Sequence, residues 1–262
     1  MSKMKRMRMS ARVVATKGIH NFRDFGGYAS ALGGHVQKGI LYRSGQHRDA
    51  TQEDLDKVSA LRLASIIDLR SDSERALYPC ARAEGHKAEV LFVPGNTLGL
   101  GSHVDAGAGV KTAAEAHAAM VELYRNMPFR PILTATLKLY FERLAQGKGP
   151  SLVHCLAGKD RTGLAVALVQ HQLGVHPDDI MADYLLTNVV GDVDRRVAAG
   201  AEAVRANFGP EMEDAAVRTL MSVDAAFLDT ALAAIGDIDA YCRDVLDLNP
   251  ARREALRAAL IA

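Results

Sequence analysis

The residues best suited to chemistry lie in the segment 154–163, HCLAGKDRTG, where Cys155 and Arg161 are six positions apart. A strand-like stretch, 151–154, leads into this segment, and an apolar run with helical character, 164–173, follows it. A loop between a strand and a helix directs backbone N–H groups and the positive end of the helix dipole at one point, which suits an oxyanion such as phosphate. The same field stabilises a thiolate, and an arginine fork can grip two phosphate oxygens. The segment therefore predicts a cysteine nucleophile beneath a bound phosphate.

The order His-Cys-x5-Arg-Thr resembles the phosphate loop of the cysteine-dependent tyrosine phosphatases. The inner Gly-Lys-Asp-Arg-Thr-Gly, residues 158–163, is similar to one branch, the bacterial atypical phosphatases. Further similar segments are 21–27 (NFRDFGG), 68–71 (DLRS) and 182–188 (ADYLLTN). The resemblance extends over residues 16–262.

This resemblance implies a metal-independent phosphomonoester hydrolase that forms a phosphocysteine intermediate and needs no cofactor. Its first substrate class would be phosphotyrosine, and some members also accept phosphoserine, phosphothreonine and phosphoinositides. The expected partners are therefore a phosphorylated protein or a phosphoinositide, with a phosphate anion in the site.

The residues of the loop receive separate expected roles. Cys155 is the nucleophile, Arg161 binds two oxygens of the transferring phosphoryl group, and Thr162 donates its hydroxyl to the sulfur or caps the helix. His154 is expected to orient the loop through its ring N–H rather than to transfer protons. The backbone N–H groups that complete the cradle belong to Leu156, Ala157, Gly158, Lys159, Asp160 and Arg161.

The proton donor for the leaving oxygen is the harder assignment. Many tyrosine phosphatases use the aspartate of a Trp-Pro-Asp loop, but this chain contains no Trp. The resemblance assigns the general acid to Asp160. Asp68, at the end of a neighbouring strand, is the rival candidate for the general acid. If it is not the acid, Asp68 is expected to pair with Lys159 or Arg161. Asp105, in a Gly-rich segment, is a lesser candidate.

Other charged residues are expected near the substrate. Lys159 has two open interpretations: a second cation beside the phosphate, which would suit a polyanionic headgroup, or a solvated lysine that raises the local potential. Arg70 follows the same strand end as Asp68 and is expected to contact substrate. Arg23 either lines the phosphate pocket or forms structural hydrogen bonds near the sheet.

Composition limits the remaining functions and the location. Of 262 residues, 48% are hydrophobic and the formal net charge is +1, so no global field draws the protein to nucleic acid or to a membrane. No apolar run approaches a membrane span or a Sec signal, so neither membrane insertion nor Sec export is expected. The three cysteines, Cys80, Cys155 and Cys242, lack metal-binding spacing and suggest the reducing cytoplasm, although a regulatory disulfide stays open.

The pattern of elements predicts one α/β domain over residues 16–262, preceded by a basic flexible arm, 1–15. Short apolar strands alternate with helical segments, which indicates a central, largely parallel sheet flanked by helices, the cysteine-phosphatase fold. The Ala-rich region beyond residue 192 predicts additional C-terminal helices. The Gly-rich stretch 95–110 is expected to form a loop near the site.

Alternative functions also use a cysteine loop between a strand and a helix. A sulfurtransferase or an arsenate reductase differs in the spacing of cysteine and arginine or in the residues after the arginine. A non-catalytic phosphate-binding module is the other alternative, although nucleophile, arginine and threonine are all present.

Overall fold

A five-stranded sheet forms the centre of the computed structural model, which describes residues 12–95 and 109–262. Its strands are β1 (Arg23–Asp24), β2 (Leu41–Ser44), β3 (Ser65–Asp68), β4 (Glu89–Leu91) and β5 (Ser151–His154). The order across the sheet is β1–β2–β5–β3–β4. The four strands β2 to β5 are parallel, and β1 pairs antiparallel with β2 at the edge. The predicted α/β class with a largely parallel central sheet is confirmed.

The helices of the described residues surround this sheet. They are α1 (Gln52–Ala60), α2 (Asp72–Leu77), α3 (Ala113–Asn126), α4 (Pro131–Ala145), α5 (Asp160–Gln172), α6 (Pro177–Leu185), α7 (Thr187–Val190), α8 (Val193–Phe208), α9 (Asp214–Met221), α10 (Ala225–Ile235), α11 (Ile238–Asp244) and α12 (Pro250–Leu260). A short 3₁₀ turn, Met127–Phe129, separates α3 from α4. Within residues 12–95 and 109–262, no helix has the length and apolar character needed to cross a bilayer.

Both faces of the central strand β5 are buried, and its two apolar residues, Leu152 and Val153, point to opposite faces of the sheet. Leu152 packs with Ile66 in a small cluster to which α1 contributes Val58. Val153 packs with Ile67 in the large cluster on the other face, where α3 to α6 and the C-terminal helices α9 to α12 meet. The sheet therefore lies between a thin layer and a thick layer of helices.

The strand register brings three carboxyl ends to one edge of the sheet. His154 pairs with Ser44 on one side and with Asp68 on the other. Ligand sites of open α/β sheets form outside this edge. The phosphate-loop segment begins here, directly after His154.

The structure departs from the sequence-based expectation in several places. The helix expected over 164–173 begins four residues earlier, at Asp160, and helix α2 was not predicted. Residues 12–14 belong to the fold rather than to the arm, because Val13 bridges Arg23 and the Val14 N–H donates to the Phe22 carbonyl at 3.0 Å. Most of the expected Gly-rich loop, 96–108 with Asp105, lies outside the described residues, as do residues 1–11.

Candidate active site

The turn between β5 and α5 has the construction of an anion site. The segment 155–159 joins the carboxyl end of β5 to Asp160, the first residue of α5. No side chain among the described residues caps this helix, so its first N–H groups can bind an anion. Cys155 is 2% exposed at the base of the turn, and Leu156 and Ala157 are half-buried above it.

Gly158 holds the loop against the neighbouring strand end. Its φ is +68°, and a Cβ there would lie 2.4 Å from the carbonyl carbon and oxygen of Ser44, so only glycine fits. Its own carbonyl accepts hydrogen bonds from Asn21 Nδ2 at 2.6 Å and from Arg43 Nη2 at 3.0 Å. These contacts fix the conformation of the turn around Cys155.

A buried ionic cluster supplies one of the two donors to the Gly158 carbonyl, Arg43. Asp183 of α6 pairs with Arg43 at 2.9 Å and with Arg23 at 3.3 Å, and all three side chains are fully buried. Burial and the neighbouring Arg23 lower the pKa of Arg43 to about 10, which still leaves it charged at neutral pH. Of the two roles expected for Arg23, the contacts match the structural one, because Asp183 and Asn21 accept the hydrogen bonds of its guanidinium. Sequence reasoning missed Arg43 and Asp183, although Asp183 lies in one of the segments noted for its resemblance.

Arg161 is held by a carboxylate that the sequence analysis did not single out. Its Nη1 and Nη2 each bond to one oxygen of Glu74 at 2.6 Å, and Nη1 also donates to the Leu69 carbonyl at 3.1 Å. Burial opposes the charge, but the hydrogen bonds to Glu74 outweigh it and raise the pKa of Arg161. Glu74 in turn closes a capping box with Ser71 at the start of α2. The Ser-x-x-Glu spacing could have revealed that helix, but nothing in it indicates Arg161 as a partner.

The arginine still has donors to offer. A guanidinium carries five N–H groups, and the bonds to Glu74 and Leu69 use both on Nη1 and one on Nη2. Among the described residues, the Nε–H and the second Nη2–H of Arg161 are left over. These two donors lie along one edge of the fork, the arrangement that grips two oxygens of a phosphate.

Asp160 is oriented by a chain of buried hydroxyls. Tyr124 Oη donates to Asp160 Oδ1 at 2.8 Å, and Tyr184 Oη donates to Tyr124 Oη at 2.8 Å. Burial and the Asp160 charge raise the pKa of Tyr124 well above its ordinary value, so the hydroxyl stays protonated and remains a donor. Asp160 and Arg161 both line a small cavity of about 30 Å³, large enough for a single water.

Lys159 is not the solvated lysine of its second expected description. It is 1% exposed rather than solvated, and its ammonium donates to the carbonyl of Leu220 and, at 3.1 Å, to that of Ser222. Those carbonyls belong to the carboxyl end of α9, where a cation is favoured. The ammonium also lies 3.5 Å from Asp160 Oδ1. Lys159 thus joins the loop to α9 and adds positive charge behind Asp160.

Asp68 and Arg70 pair with each other, which corrects two expectations. Both oxygens of Asp68 accept hydrogen bonds from Arg70, at 2.8 Å and 2.7 Å, so Asp68 is not the partner of Lys159 or Arg161. Burial would raise the pKa of Asp68, but the neighbouring positive groups lower it to about 2. Asp68 is therefore ionised at neutral pH and holds no proton to donate. Arg70 also donates to the Tyr78 carbonyl at 2.6 Å and to Cys80 Sγ at 3.2 Å, so it stabilises this corner rather than facing substrate.

His154 and Thr162 are both fully buried in the segment that carries the nucleophile. His154 Nδ1 lies 3.1 Å from the Cys155 carbonyl oxygen, and burial lowers the pKa of the ring to about 4, so it is neutral at pH 7. This arrangement supports an orienting role. The Thr162 hydroxyl is fully buried and has no hydrogen-bond partner in residues 12–95 and 109–262, so the expected bond to the Cys155 sulfur is not formed.

All three cysteines are free thiols. Burial raises the pKa of Cys242 to about 12, which makes that thiol unreactive. Cys80 is half-buried beside Arg70, and its sulfur accepts from the His47 N–H at 3.4 Å.

Comparison with known proteins defines the class. A sequence profile of the tyrosine phosphatase family matches residues 14–262, so the chain belongs to the tyrosine phosphatase family and is a phosphoric monoester hydrolase. A protein of Cupriavidus necator, named as a candidate tyrosine-protein phosphatase, is 35% identical over 239 residues, covering 89% of this chain and 84% of that one. The triple specificity protein phosphatase PtpB of Mycobacterium tuberculosis is 28% identical over 278 residues, covering 93% and 97% respectively.

Solved structures are more distant. The crystal structure of P. aeruginosa TpbA is 18% identical, with 80% of this chain and 98% of that chain covered, at a TM-score of 0.26. A TM-score of this size does not establish a shared fold. The fold assignment rests on the family match and on the sheet itself.

Proposed function

We propose that the protein hydrolyses phosphomonoesters through a phosphocysteine intermediate on Cys155, without a metal, and that phosphotyrosine is its first substrate class. One observation carries this proposal: a buried cysteine lies at the end of β5, and Asp160 and Arg161 stand in the first turn of the helix that follows. Nucleophile, proton donor and phosphate-binding fork thus belong to one rigid turn.

In the first step, the Cys155 thiolate attacks phosphorus and the bond from phosphorus to the leaving oxygen breaks. The free Nε–H and Nη2–H of Arg161 and the N–H groups of the turn bind the three equatorial oxygens, on which charge spreads in the transition state. Asp160 gives its proton to the leaving oxygen. The products of this step are the alcohol or phenol and phosphocysteine.

In the second step, water attacks the phosphocysteine and the S–P bond breaks. Asp160, now a carboxylate, takes a proton from the attacking water, so it is ready to act as an acid again. The sulfur leaves as a thiolate, and the buried hydroxyl of Thr162, which has no other described partner, can turn to stabilise it.

Two contacts favour Asp160 over Asp68 as the general acid. Arg70 occupies both oxygens of Asp68, and the pKa of Asp68 is about 2. In Asp160, by contrast, Tyr124 holds Oδ1, which leaves Oδ2 for the substrate.

The substrate range is proposed to extend beyond phosphotyrosine. The relative PtpB is named a triple specificity protein phosphatase, which supports activity on phosphoserine and phosphothreonine as well. The buried cation Lys159, behind Asp160, leaves phosphoinositides within the proposed range. The free state of all three thiols suits the reducing cytoplasm, which we propose as the location.

The test is steady-state hydrolysis of p-nitrophenyl phosphate and of a phosphotyrosine peptide, with EDTA present. Wild type should be active on both, and Cys155→Ser should be inactive on both. Asp160→Asn should lose far more activity on the peptide than on p-nitrophenyl phosphate, because nitrophenolate leaves without protonation. Asp68→Asn, the matched control, should lose activity equally on both substrates.

A different pattern would overturn the proposal. Activity that survives in Cys155→Ser excludes a phosphocysteine route. Activity that depends on a metal and disappears with EDTA contradicts the metal-independent mechanism. A leaving-group dependence in Asp68→Asn but not in Asp160→Asn moves the general acid to Asp68.

A further inference from the structure

An open groove of about 450 Å³ adjoins the phosphate loop on the side of helix α8. We call it the basic groove, and the residues that decide its chemistry are Lys17, His20, Asp49, Arg195 and Arg196. It is separate from the small cavity that Asp160 and Arg161 line. The two proposed reaction steps do not involve the residues that line this groove.

A lining residue of the basic groove, His20, is linked to the phosphate loop. The His20 carbonyl accepts the Gly45 N–H at 2.8 Å, and Gly45 lies directly against the loop, since a Cβ there would be 3.2 Å from the Leu156 carbonyl oxygen. The next residue after His20, Asn21, donates to the Gly158 carbonyl. The backbone at residues 20–21 therefore connects the lining of the groove with the turn that carries Cys155.

Two arginines of the basic groove have no anionic partner. Neither Arg195 nor Arg196 forms an ion pair with a carboxylate in the part of the chain that the structure describes. The Nη1 atom of Arg196 is also buried without a hydrogen-bond partner among those residues. A buried guanidinium nitrogen left unbonded is unfavourable, so a ligand that supplies an acceptor there gains free energy.

The other charged groups leave the groove positive. Lys17 is paired with Glu53 at 2.8 Å on the exposed rim, and Asp49 is the carboxylate of the lining. Burial, with help from Arg196 and Arg195, lowers the pKa of His20, so its ring is neutral at pH 7. The positive charge available to a ligand is therefore that of the two arginines.

Burial lowers the pKa of Arg196, and its interactions with Asp160 and Cys155 partly offset that effect. An anion that pairs with the Arg196 guanidinium would compensate for the cost of burying its charge.

We propose that the basic groove binds acidic residues that flank the phosphorylated residue of a peptide substrate. This inference rests on the proposed phosphatase function and specifies its substrate class. A peptide suits the groove because the Asp49 carboxylate in the lining can accept a hydrogen bond from a backbone N–H, a donor that an ionised phosphate group lacks. The groove is open enough for an extended chain to enter from the surface.

The test compares two phosphotyrosine peptides that differ only in their flanking residues, acidic in one and neutral in the other. Wild type should have a higher kcat/KM for the acidic peptide, and raising the salt concentration should reduce that preference. Arg195→Gln should reduce the preference about fivefold, the worth of one surface ion pair, and adding Arg196→Gln should abolish it. Arg195→Glu should go further and prefer a lysine-flanked peptide.

The control variant Lys148→Gln/Arg252→Gln removes two positive charges elsewhere. Lys148 lies before β5, at the opposite end of the sheet, and Arg252 lies in α12. This variant should keep the wild-type preference. Arg195 is exposed, so Arg195→Gln and Arg195→Glu keep the test valid if a change at the partly buried Arg196 disturbs folding.

The outcomes separate this inference from the phosphatase function itself. If wild type hydrolyses both peptides equally, or if Arg195→Gln and Arg195→Glu keep the wild-type preference, the groove does not read acidic flanks. If those variants lose turnover of a water-soluble phosphoinositide but not of the acidic peptide, the groove serves a headgroup and the peptide assignment is wrong. If wild type hydrolyses neither peptide nor p-nitrophenyl phosphate, the proposed function has failed instead.

Discussion

Replacing Glu74 by alanine tests how Arg161 is held in place for phosphate. The carboxylate accepts two bonds of 2.6 Å from Arg161, and the side chains are only 17% and 16% exposed. Without them the guanidinium regains rotamer freedom that is worth up to about 2 kcal/mol. We therefore expect kcat/KM to fall about 10- to 30-fold, which corresponds to about 1.4–2 kcal/mol of transition-state stabilisation.

A second variant at Glu74 should lose less kcat/KM than Glu74→Ala. Glu74→Gln keeps one acceptor oxygen, so its loss of kcat/KM should be smaller, about three- to fivefold. The loss should be equal for p-nitrophenyl phosphate and for phenyl phosphate, because Arg161 contacts the phosphoryl group and not the leaving group. Glu89→Gln is the matched control, since Glu89 also pairs with an arginine, Arg143, but on the outer strand β4.

Steady-state kinetics on folded protein decide this prediction. Glu74 also closes the capping box of α2, so its loss should cost about 1 kcal/mol of unfolding free energy, to be measured separately by urea denaturation. A Glu74→Ala variant within threefold of wild type would refute the view that Glu74 orients Arg161. So would a loss confined to the substrate with the poorer leaving group.

Three further changes probe other contacts of the site. Tyr124→Phe removes the donor to Asp160, so turnover of phenyl phosphate should fall about fivefold and that of p-nitrophenyl phosphate much less. Tyr241→Phe, the control away from the site, should change neither rate. Equal losses on the two substrates in Tyr124→Phe would argue against Tyr124 positioning the acid. Gly158→Ala should abolish activity and lower the Tm, because its Cβ would clash with Ser44. Gly85→Ala, at a similar φ of +71° but in open space, should lower the free energy of unfolding by only about 1 kcal/mol. An active Gly158→Ala variant would contradict the close packing of the loop. Asp68→Asn should lower the unfolding free energy by about 3 kcal/mol at pH 7. Because the pKa of Asp68 in the folded protein is about 2, this difference between wild type and variant should shrink as the pH falls from 5 towards 2. A difference that stays constant with pH would show that the ionised carboxylate is not its source.

The sequence could predict the parts of this protein that depend on local pattern. The strand 151–154 was predicted from its position before the loop, and the structure has it at those residues. Local signals also mark Pro131 as the first residue of α4 and Thr51 as the cap of α1. The strand–loop–helix order around Cys155 and Arg161 was likewise predictable, since the seven consecutive positions 155–161 carry the motif.

Contacts between distant residues could not be predicted in this way. Glu74 reaches Arg161 across 87 positions, and Tyr124 reaches Asp160 across 36. The burial of Lys159 has the same origin, because it depends on how α9 packs against the loop. Asp68 is a different case, because its partner Arg70 is only two positions away and the sequence analysis overlooked that local pairing. Lys159 in particular has the sequence appearance of a solvated lysine and is buried only because α9 ends against it.

The most direct test of the central claim is to look for the phosphoenzyme. Wild type is mixed with p-nitrophenyl phosphate in EDTA, quenched in acid during turnover, digested and examined by mass spectrometry. We expect a phosphoryl group on the peptide that carries Cys155, and none on Cys80, on Cys242 or in the Cys155→Ser variant. Rapid turnover with no phosphorylated cysteine, or turnover that persists in Cys155→Ser, would contradict it.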